Sequence, residues 1–300
     1  MENRLTDEDL VTELQKRLQE NKDLLNQERK LTTELNDVNE KLLESEHLKS
    51  NFLSNIRNEI NNPIASILEL AKNISEGSLS KDEVKDLAGL IYLEAFDLDF
   101  QLRNIFFSAE IEAGESPLSI VSINIYSLIE SILTSFKKRM DRKGIHLIWD
   151  NSIIKHRIFK TDSEKLHLII CNLIANAIQF SNQGGTIEVC SQFEGDELVI
   201  CVKDTGIGIS KENQQKIYDR FHQIEEGSTK TYGGHGLGLS ITKALLEIIE
   251  GRIELESDLG KGSCFKAFIK ELDLIEGDTA IFSTDGNDFI FDQDDDEMLF

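Results

Sequence analysis

Two asparagines, Asn172 and Asn176, are the first residues whose type and spacing could do chemistry. They are four residues apart, and on a helix this spacing puts both side chains on one face. Mg²⁺ prefers oxygen ligands and keeps several waters, so two amide oxygens there could hold the ion beside phosphates. Two asparagines could also simply face solvent, but their leucine and isoleucine neighbours indicate a half-buried face. We therefore predict that both are magnesium ligands.

A second segment, Asp204-Thr-Gly206-Ile-Gly208-Ile209, supplies a carboxylate and two glycines. Asp204 closes a predicted strand, where a buried carboxylate could accept a hydrogen bond from the exocyclic amine of adenine. Gly206 and Gly208 let the backbone turn tightly and approach the base. Alone, this segment could be an ordinary turn.

A third segment, Gly234-His-Gly236-Leu237-Gly238, precedes a predicted helix. Backbone amides and the positive end of a helix suit phosphate groups. A glycine-rich loop alone is weak evidence. The three segments in this order, however, predict one site for ATP and Mg²⁺.

Composition limits the partners and the compartment. The chain has 300 residues, which suggests about two domains, and a net charge of -23, which argues against nucleic acid and anionic membranes. No apolar run approaches ~18 residues, so we expect no membrane insertion, and the polar N-terminus does not fit a signal peptide. We expect a cytoplasmic protein whose cysteines are reduced core thiols: Cys171, Cys190, Cys201 and Cys264.

The first half of the chain is predicted to be helical. Residues 8–56 lack glycine and proline, and a heptad frame fits with Leu14, Leu35 and Leu42 on its apolar seam. The pattern favours a coiled-coil signalling helix over 1–45 that pairs with a second chain, although a single solvated helix is the alternative. Pro63 is expected to kink the helix rather than end it.

A second helix is predicted over 81–112, after a turn at Gly77-Ser78. The two helices would form a hairpin dimerisation domain over 46–113. Paired with the hairpin of a second chain, they would make a four-helix bundle.

The pattern changes after Leu118 to short strands between helices. This mixture predicts an α/β sandwich over 118–271. The acidic segment 272–300 reads as a disordered tail that either docks on a partner or only adds solubility. The predicted strands are 118–123, 145–150, 186–193, 197–204 and 263–270, and the predicted helices are 125–143, 162–180 and 238–250.

These motifs together resemble the sensor histidine kinases of two-component systems, within the gyrase, Hsp90 and MutL ATPase superfamily. The resemblance covers roughly residues 40–270. It implies a coiled coil and a dimeric four-helix bundle followed by a Bergerat-type α/β sandwich that binds ATP, with residues 210–233 as a mobile lid. The matching boxes are Asn172–Ser181, Asp204–Ile209, Tyr218–Phe221 and Gly234–Leu239.

Two departures from the family pattern stand out. Asn58 occupies the position of the phosphoacceptor histidine, and an amide lacks a nucleophilic lone pair comparable to that of imidazole. Gln179 stands where the family has a lysine or arginine directed toward the phosphates. Arg220 and Lys230 are candidates to replace that charge.

Two residues of the acceptor helix keep the family pattern. Glu59 is at the position of the carboxylate that assists proton transfer, and Asn62 is where family members hold a water that attacks aspartyl phosphate on a response regulator. They are three residues apart, hence on one helix face. A polar helix segment before Pro63 is the equally weighted alternative.

The resemblance leaves several hypotheses open. The main one is a regulatory pseudokinase that binds ATP without phosphorylating Asn58, as a homodimer or as a heterodimer with another histidine kinase, and that contacts the receiver domain of a response regulator. The alternatives are a response-regulator phosphatase using Asn62, an active kinase whose acceptor histidine was replaced by mutation, and a scaffold with a vestigial ATP site.

Overall fold

The computed structural model describes residues 7–151, 157–220 and 236–272. Its contacts divide the chain into two units, Met1–Ser54 and Asn55–Phe300. Among the described residues, no helix has an apolar stretch long enough to cross a bilayer.

The first helix, α1, runs from Asp7 to Glu76. It contains no glycine, and its backbone stays helical through Pro63, so the predicted continuation past the proline is confirmed. Its apolar side chains lie largely in solvent, which is what an unpaired amphipathic helix shows. The coiled coil and the dimer stay predictions. The exposed apolar residues of this helix include Leu18, Leu24, Leu31, Leu35, Val38 and Leu42.

The second helix, α2, spans Lys81–Ala113, within one residue of the prediction. Its start is fixed by a capping box, in which Ser80 and Glu83 exchange side-chain and backbone hydrogen bonds. Its end is fixed by Gly114, whose φ of 69° is accessible to glycine without strain.

The rest of the second unit is a mixed sheet covered by helices on one face, which confirms the predicted α plus α/β fold. The five-stranded sheet has the order β2-β4-β5-β7-β6, with only β2 and β4 parallel. A separate pair joins β1 and β3 antiparallel. The strands are β1 Ile120–Asn124, β2 His146–Asn151, β3 Ile158–Asp162, β4 Thr186–Glu194, β5 Glu197–Asp204, β6 Arg252–Ser257 and β7 Ser263–Lys270.

Three helices pack on this sheet: α3 Ile125–Arg142, α4 Ser163–Phe180 and α5 Gly238–Ile248. Strands β4 and β5 alternate in side-chain burial, so one face of the sheet is the core and the other faces outward. The core face is fully apolar at its centre, with Ile187, Val189, Leu198 and Ile200 at 3 % exposure or less. Strand β5 packs against α4, and α4 packs against α5.

Helix α2 packs against α3 through an aromatic cluster. Phe96 and Phe100 meet the ring of Phe136 edge-on, at centroid distances of 5.3 and 6.0 Å. Arg139 lies over these rings and pairs with Asp97. Desolvation lowers the pKa of Arg139 to about 10. The second unit therefore joins α2 to the sheet domain through specific contacts.

Candidate functional site

Helix α4 carries the two candidate magnesium ligands on a buried face. Asn172 is only 2 % exposed. The amide nitrogens of Asn172 and Asn176 are buried and have no hydrogen-bond partner among the described residues. An unpaired buried donor costs about 1–3 kcal/mol, so such groups need a reason beyond folding. A bound ligand whose phosphate oxygens or waters accept from these nitrogens would supply that reason.

The first turn of α5 lies directly beside Asn172. A Cβ at Gly238 would stand 3.4 Å from the Oδ1 of Asn172, so the two residues are in van der Waals reach of each other. Leu237 is buried before the helix, and its carbonyl accepts from the hydroxyl of Ser240 and the amide of Ile241. The amide oxygen of Asn172 therefore faces the end of α5 where backbone amides point outward.

Asp204 ends strand β5 as a buried carboxylate with 5 % exposure. Burial raises its pKa, and hydrogen bonds from the amides of Gly206 and Ser263 oppose that rise. The Gly206 amide donates to Oδ1 at 2.8 Å. A carboxylate held this way in an apolar setting is a strong acceptor for an N–H donor such as the adenine amine.

The two glycines after Asp204 are needed because other chain segments pass very close. A Cβ at Gly206 would lie 2.1 Å from the carbonyl oxygen of Phe180, at the end of α4. Gly208 has a φ of +67°, and a Cβ there would lie 2.0 Å from the carbonyl oxygen of Asp258. The segment is therefore not an isolated turn, because it packs against the end of α4 on one side and the loop after β6 on the other.

Three residues that the sequence analysis missed contact the Asp204–Ile209 segment: Ser257 at the end of β6, Gly262 in the loop after it, and Gln214. The hydroxyl of Ser257 accepts from the amide of Ile209 at 2.8 Å. Gln214 donates to the carbonyls of Ile209 and Ser257 at 3.2 and 2.9 Å. Gly262 has a φ of +86°, and a Cβ there would meet the carbonyl oxygen of Asp204 at 2.0 Å. The sequence Gly260-Lys-Gly262 was the available signal, since paired glycines after a strand mark a close approach.

The third predicted segment is only partly described. Gly234 lies outside the described residues, whereas Gly236 has a φ of +68°, a conformation that suits glycine. Leu237 and Gly238 lead directly into α5. The structure therefore places Asn172 beside the start of α5, and the segment after Asp204 against the end of α4.

Gln179 and Arg220, which were predicted to lie near the phosphates, contact other residues of the chain. The carbonyl oxygens of Ile178 and Gln179 both accept from the ammonium of Lys143 at 2.7 Å, which satisfies the last turn of α4. Arg220 pairs with Glu112 of α2 at 2.8 Å. Their roles at a nucleotide stay predictions.

The acceptor segment lies on α1. The backbone is helical at Asn58 and Glu59, and the side chain of Asn62 is exposed, while Pro63 is buried. The spacing of Glu59 and Asn62 on a continuous helix keeps them on one face.

The structure corrects the prediction that all cysteines are core thiols. Only Cys171, on α4, is buried. Cys190, Cys201 and Cys264 are half-buried on the outward face of the sheet. The prediction took apolar neighbours to mean burial, but alternation along a strand sends every second side chain to the other face.

The geometry fits a magnesium nucleotide. The amide oxygens of Asn172 and Asn176 on α4 are candidate ligands for the ion. The carboxylate of Asp204 is a candidate acceptor for the base, and the start of α5 at Gly238 presents outward-pointing amides. Among the described residues, no cluster of histidine, cysteine, aspartate or glutamate could hold a metal. A magnesium ion here would therefore depend on amide oxygens, water and phosphates.

Comparison with known proteins supports this interpretation. Residues 161–273 match the family model described as Histidine kinase-, DNA gyrase B-, and HSP90-like ATPase. The chain is 29 % identical over 232 residues to the circadian input-output histidine kinase CikA of Synechococcus elongatus, covering 76 % of this chain and 31 % of that protein. It is 26 % identical over 221 residues to the sensor protein SrrB of Staphylococcus aureus, covering 73 % of this chain and 38 % of that protein.

A solved structure, full-length ShkA in complex with AMPPNP, shares the fold. It superposes with a TM-score of 0.52 at 21 % identity, covering 76 % of this chain and 47 % of that one. The chain thus spans less than two fifths of the curated relatives' length. The match of its ATPase domain and its similarity to these two proteins support membership of the two-component sensor histidine kinase family.

Proposed function

We propose that this chain binds Mg²⁺ and ATP in the cleft between α4, the end of β5 and the start of α5, and acts as a regulatory pseudokinase. The observation that carries the proposal is the pair of buried, unpaired amides of Asn172 and Asn176 beside the first turn of α5. Their unpaired nitrogens destabilise the folded chain, and the phosphate oxygens or waters of a bound nucleotide would accept hydrogen bonds from them. AMPPNP, an ATP analogue, is bound in the ShkA complex of the same fold.

Each part of the cleft has a separate role in this proposal. Asp204 accepts from the adenine amine, and Gly206 and Gly208 let the base approach the backbone. Asn172 and Asn176 turn their amide oxygens to the magnesium ion. The ion, when bound, offsets the charge of the phosphates, and the amides at Gly236 and Gly238 complete their environment. Gln179, Ile209, Leu237, Arg220 and Gly234 stay candidate contacts.

The acceptor position limits the reaction. Phosphoryl transfer to the chain needs a nucleophile, and the carboxamide of Asn58 has its nitrogen lone pair delocalised into the carbonyl. Glu59 can assist proton removal only where a proton-bearing nucleophile is present. We therefore infer that ATP occupancy changes the conformation of the chain without phosphorylating position 58.

Regulation of this kind requires a partner. The exposed apolar residues of α1 would pair with a second copy or with another histidine kinase. A receiver domain of a response regulator is the proposed downstream contact, as the family implies.

Equilibrium titration of the full chain with AMPPNP, with and without Mg²⁺, tests the binding half of the proposal. We expect saturable binding that weakens when Mg²⁺ is chelated. Absence of binding by any adenine nucleotide would favour the vestigial scaffold instead.

A response-regulator phosphatase is the second candidate, because Asn62 is exposed on a continuous helix. Its amide could orient water toward an aspartyl phosphate. The test compares dephosphorylation of a phosphorylated receiver domain by the native chain, Asn62→Ala and Asn61→Ala. Asn61 is the equally exposed neighbour and serves as the matched control. Equal rates for Asn62→Ala and the native chain would remove this candidate.

A further inference from the structure

Three of the four thiols meet at one place on the outward face of the sheet. Cys190 of β4 and Cys201 of β5 are directly opposite each other in the antiparallel register. Cys264 of β7, the strand on the other side of β5, completes the group. Cys201 is therefore the central thiol, with a neighbour on each side.

The sulfurs of Cys201 and Cys264 lie close together, on residues that are diagonal neighbours across β5 and β7. The sulfurs of Cys201 and Cys264 are 3.2 Å apart, so closing to the disulfide length of about 2.0 Å needs a movement of about 1.2 Å. Cys190 and Cys201 are directly opposite each other in the register of β4 and β5. Directly opposite residues of antiparallel strands have Cα atoms about 4.5–5.5 Å apart, inside the range that a disulfide spans.

The surroundings favour a thiolate at the edge of the group. The hydrogen bond to Cys201 lowers the pKa of Cys190 to about 7, and Lys266 contributes to the shift. The pKa of Cys264 is lowered in the same way, whereas that of Cys201 is raised. Since the thiolate is the reactive form, the two outer thiols are the candidate nucleophiles and Cys201 is the thiol that stays protonated.

Two ion pairs lie on the same outward face as the thiol group. Lys266 pairs with Glu256 at 2.6 Å, and Lys203 pairs with Glu188 at 3.0 Å, both on the same outward face. All three sulfurs belong to half-buried residues. The fourth thiol, Cys171, is buried on α4, and burial raises its pKa. Cys171 can therefore serve as the unreactive control for the three half-buried thiols.

We propose that Cys190, Cys201 and Cys264 form a thiol oxidation site, at which hydrogen peroxide converts Cys201 and one neighbour into a disulfide. The outer thiolate attacks one peroxide oxygen, so that an S–O bond forms, the O–O bond breaks and the leaving hydroxide takes up a proton as water. The sulfur of Cys201 then attacks the sulfenic sulfur. The S–S bond forms, the S–O bond breaks, and hydroxide leaves with the proton of Cys201 as a second water.

The balance closes without another reactant. Two thiols and one molecule of hydrogen peroxide give one disulfide and two waters. The two sulfurs are oxidised, and the two peroxide oxygens are reduced. The third cysteine of the group can then exchange with the disulfide, since a thiolate attacks a disulfide sulfur.

Limited oxidation of the full chain by hydrogen peroxide tests the proposal. Free thiols are counted with a thiol reagent, and disulfides are mapped by mass spectrometry after blocking. We expect loss of two of the four thiols, an intrachain disulfide at Cys201, and full recovery with dithiothreitol. Cys201→Ser is expected to abolish the disulfide, whereas Cys171→Ser, the buried matched control, is expected to leave it unchanged.

Two further variants assign the partner. Cys190→Ser should leave a disulfide between Cys201 and Cys264, and Cys264→Ser should leave one between Cys190 and Cys201. Far-ultraviolet circular dichroism confirms that each variant is folded. The proposal is overturned if the native chain gives only sulfinic or sulfonic acid, or disulfides between chains. It is also overturned if a folded Cys201→Ser variant still loses two thiols within this group.

Discussion

The residues of the nucleotide cleft are buried, whereas Asn62 of the acceptor helix is exposed. In the cleft, Asn172 and Asp204 are 2 % and 5 % exposed, and Gly208 is pressed against another backbone segment. On α1, Asn62 lies in solvent. A change in the cleft disturbs packing and binding together, whereas a polar residue on an exposed helix can change its chemistry at little cost to folding. The acceptor function can therefore be lost while the ATP site stays intact.

The largest effect is expected at Gly208. Gly208→Ala should lower the free energy of unfolding by about 3 kcal/mol, from the left-handed backbone and from contact with Asp258. Gly195→Ala is the matched control, because Gly195 has a φ of +62° but open space around its Cβ position. It should cost about 1 kcal/mol. Chemical denaturation of both variants measures the difference, and equal losses would show that the cleft is not tightly closed at this glycine.

The second largest effect is expected at Asp204, the proposed acceptor for the adenine amine. Asp204→Asn should weaken AMPPNP binding by about 10- to 100-fold, because it removes a charge-assisted acceptor worth about 1.5–3 kcal/mol. Asp196→Asn, the same change at an exposed turn between β4 and β5, should leave binding unchanged. Titration calorimetry gives both values. Similar affinities for the two variants would remove Asp204 from the site.

A third effect tests the contact between α2 and α4. Burial lowers the pKa of His167 to about 4, and the charge of Arg103 adds to this shift. Below about pH 6.5 His167 is protonated in the unfolded chain but stays neutral in the folded chain. The free energy of unfolding therefore falls as the pH drops from 6.5 toward 4. Between pH 7 and pH 5 the loss should be about 2 kcal/mol.

Denaturation at both pH values compares the native chain with two variants. His167→Gln should reduce the loss, whereas His146→Gln, at an exposed position of β2, should leave it as it is. An unchanged pH dependence in His167→Gln would mean that His167 is not held neutral between the helices.

The smallest effect separates folding from binding at Asn172. Asn172→Leu should raise the free energy of unfolding of the nucleotide-free chain by about 1 kcal/mol, since it removes an unpaired buried donor. The same variant should weaken Mg²⁺-dependent nucleotide binding about 10-fold. Asn73→Leu, at an exposed position of α1, should leave binding unchanged. Destabilisation by Asn172→Leu would show that this amide has an unrecognised partner in the fold.

The sequence predicted more of the fold than of the site. Helix α2 and the strands β4, β5 and β7 were placed within one or two residues, because their apolar periods and flanking glycines are strong signals. Strands β3 and β6 were missed. Ile158–Asp162 is five residues long, and Arg252–Ser257 alternates isoleucine and leucine with charged residues at a sheet edge. Such short or edge strands carry little of the signal that a buried strand gives.

The site was predicted where chemistry dictates residue type and missed where only packing does. Asn172, Asp204 and Gly208 stand out because polar or glycine residues interrupt apolar patterns. Ser257 and Gln214 do not, since their hydrogen bonds to the Ile209 segment depend on a loop that passes close only in three dimensions. The thiol group was missed for the same reason, because strand pairing brings together cysteines that are up to 74 residues apart in sequence, Cys190 and Cys264.

Incubation of the full chain with γ-labelled ATP and Mg²⁺, followed by mass spectrometry for modified residues, tests the central claim most directly. Asn58→His serves as the matched variant, because it restores an imidazole at the acceptor position. We expect saturable nucleotide binding with no phosphate on the native chain. Acid-labile phosphate on the native chain would contradict it and would identify an acceptor other than position 58.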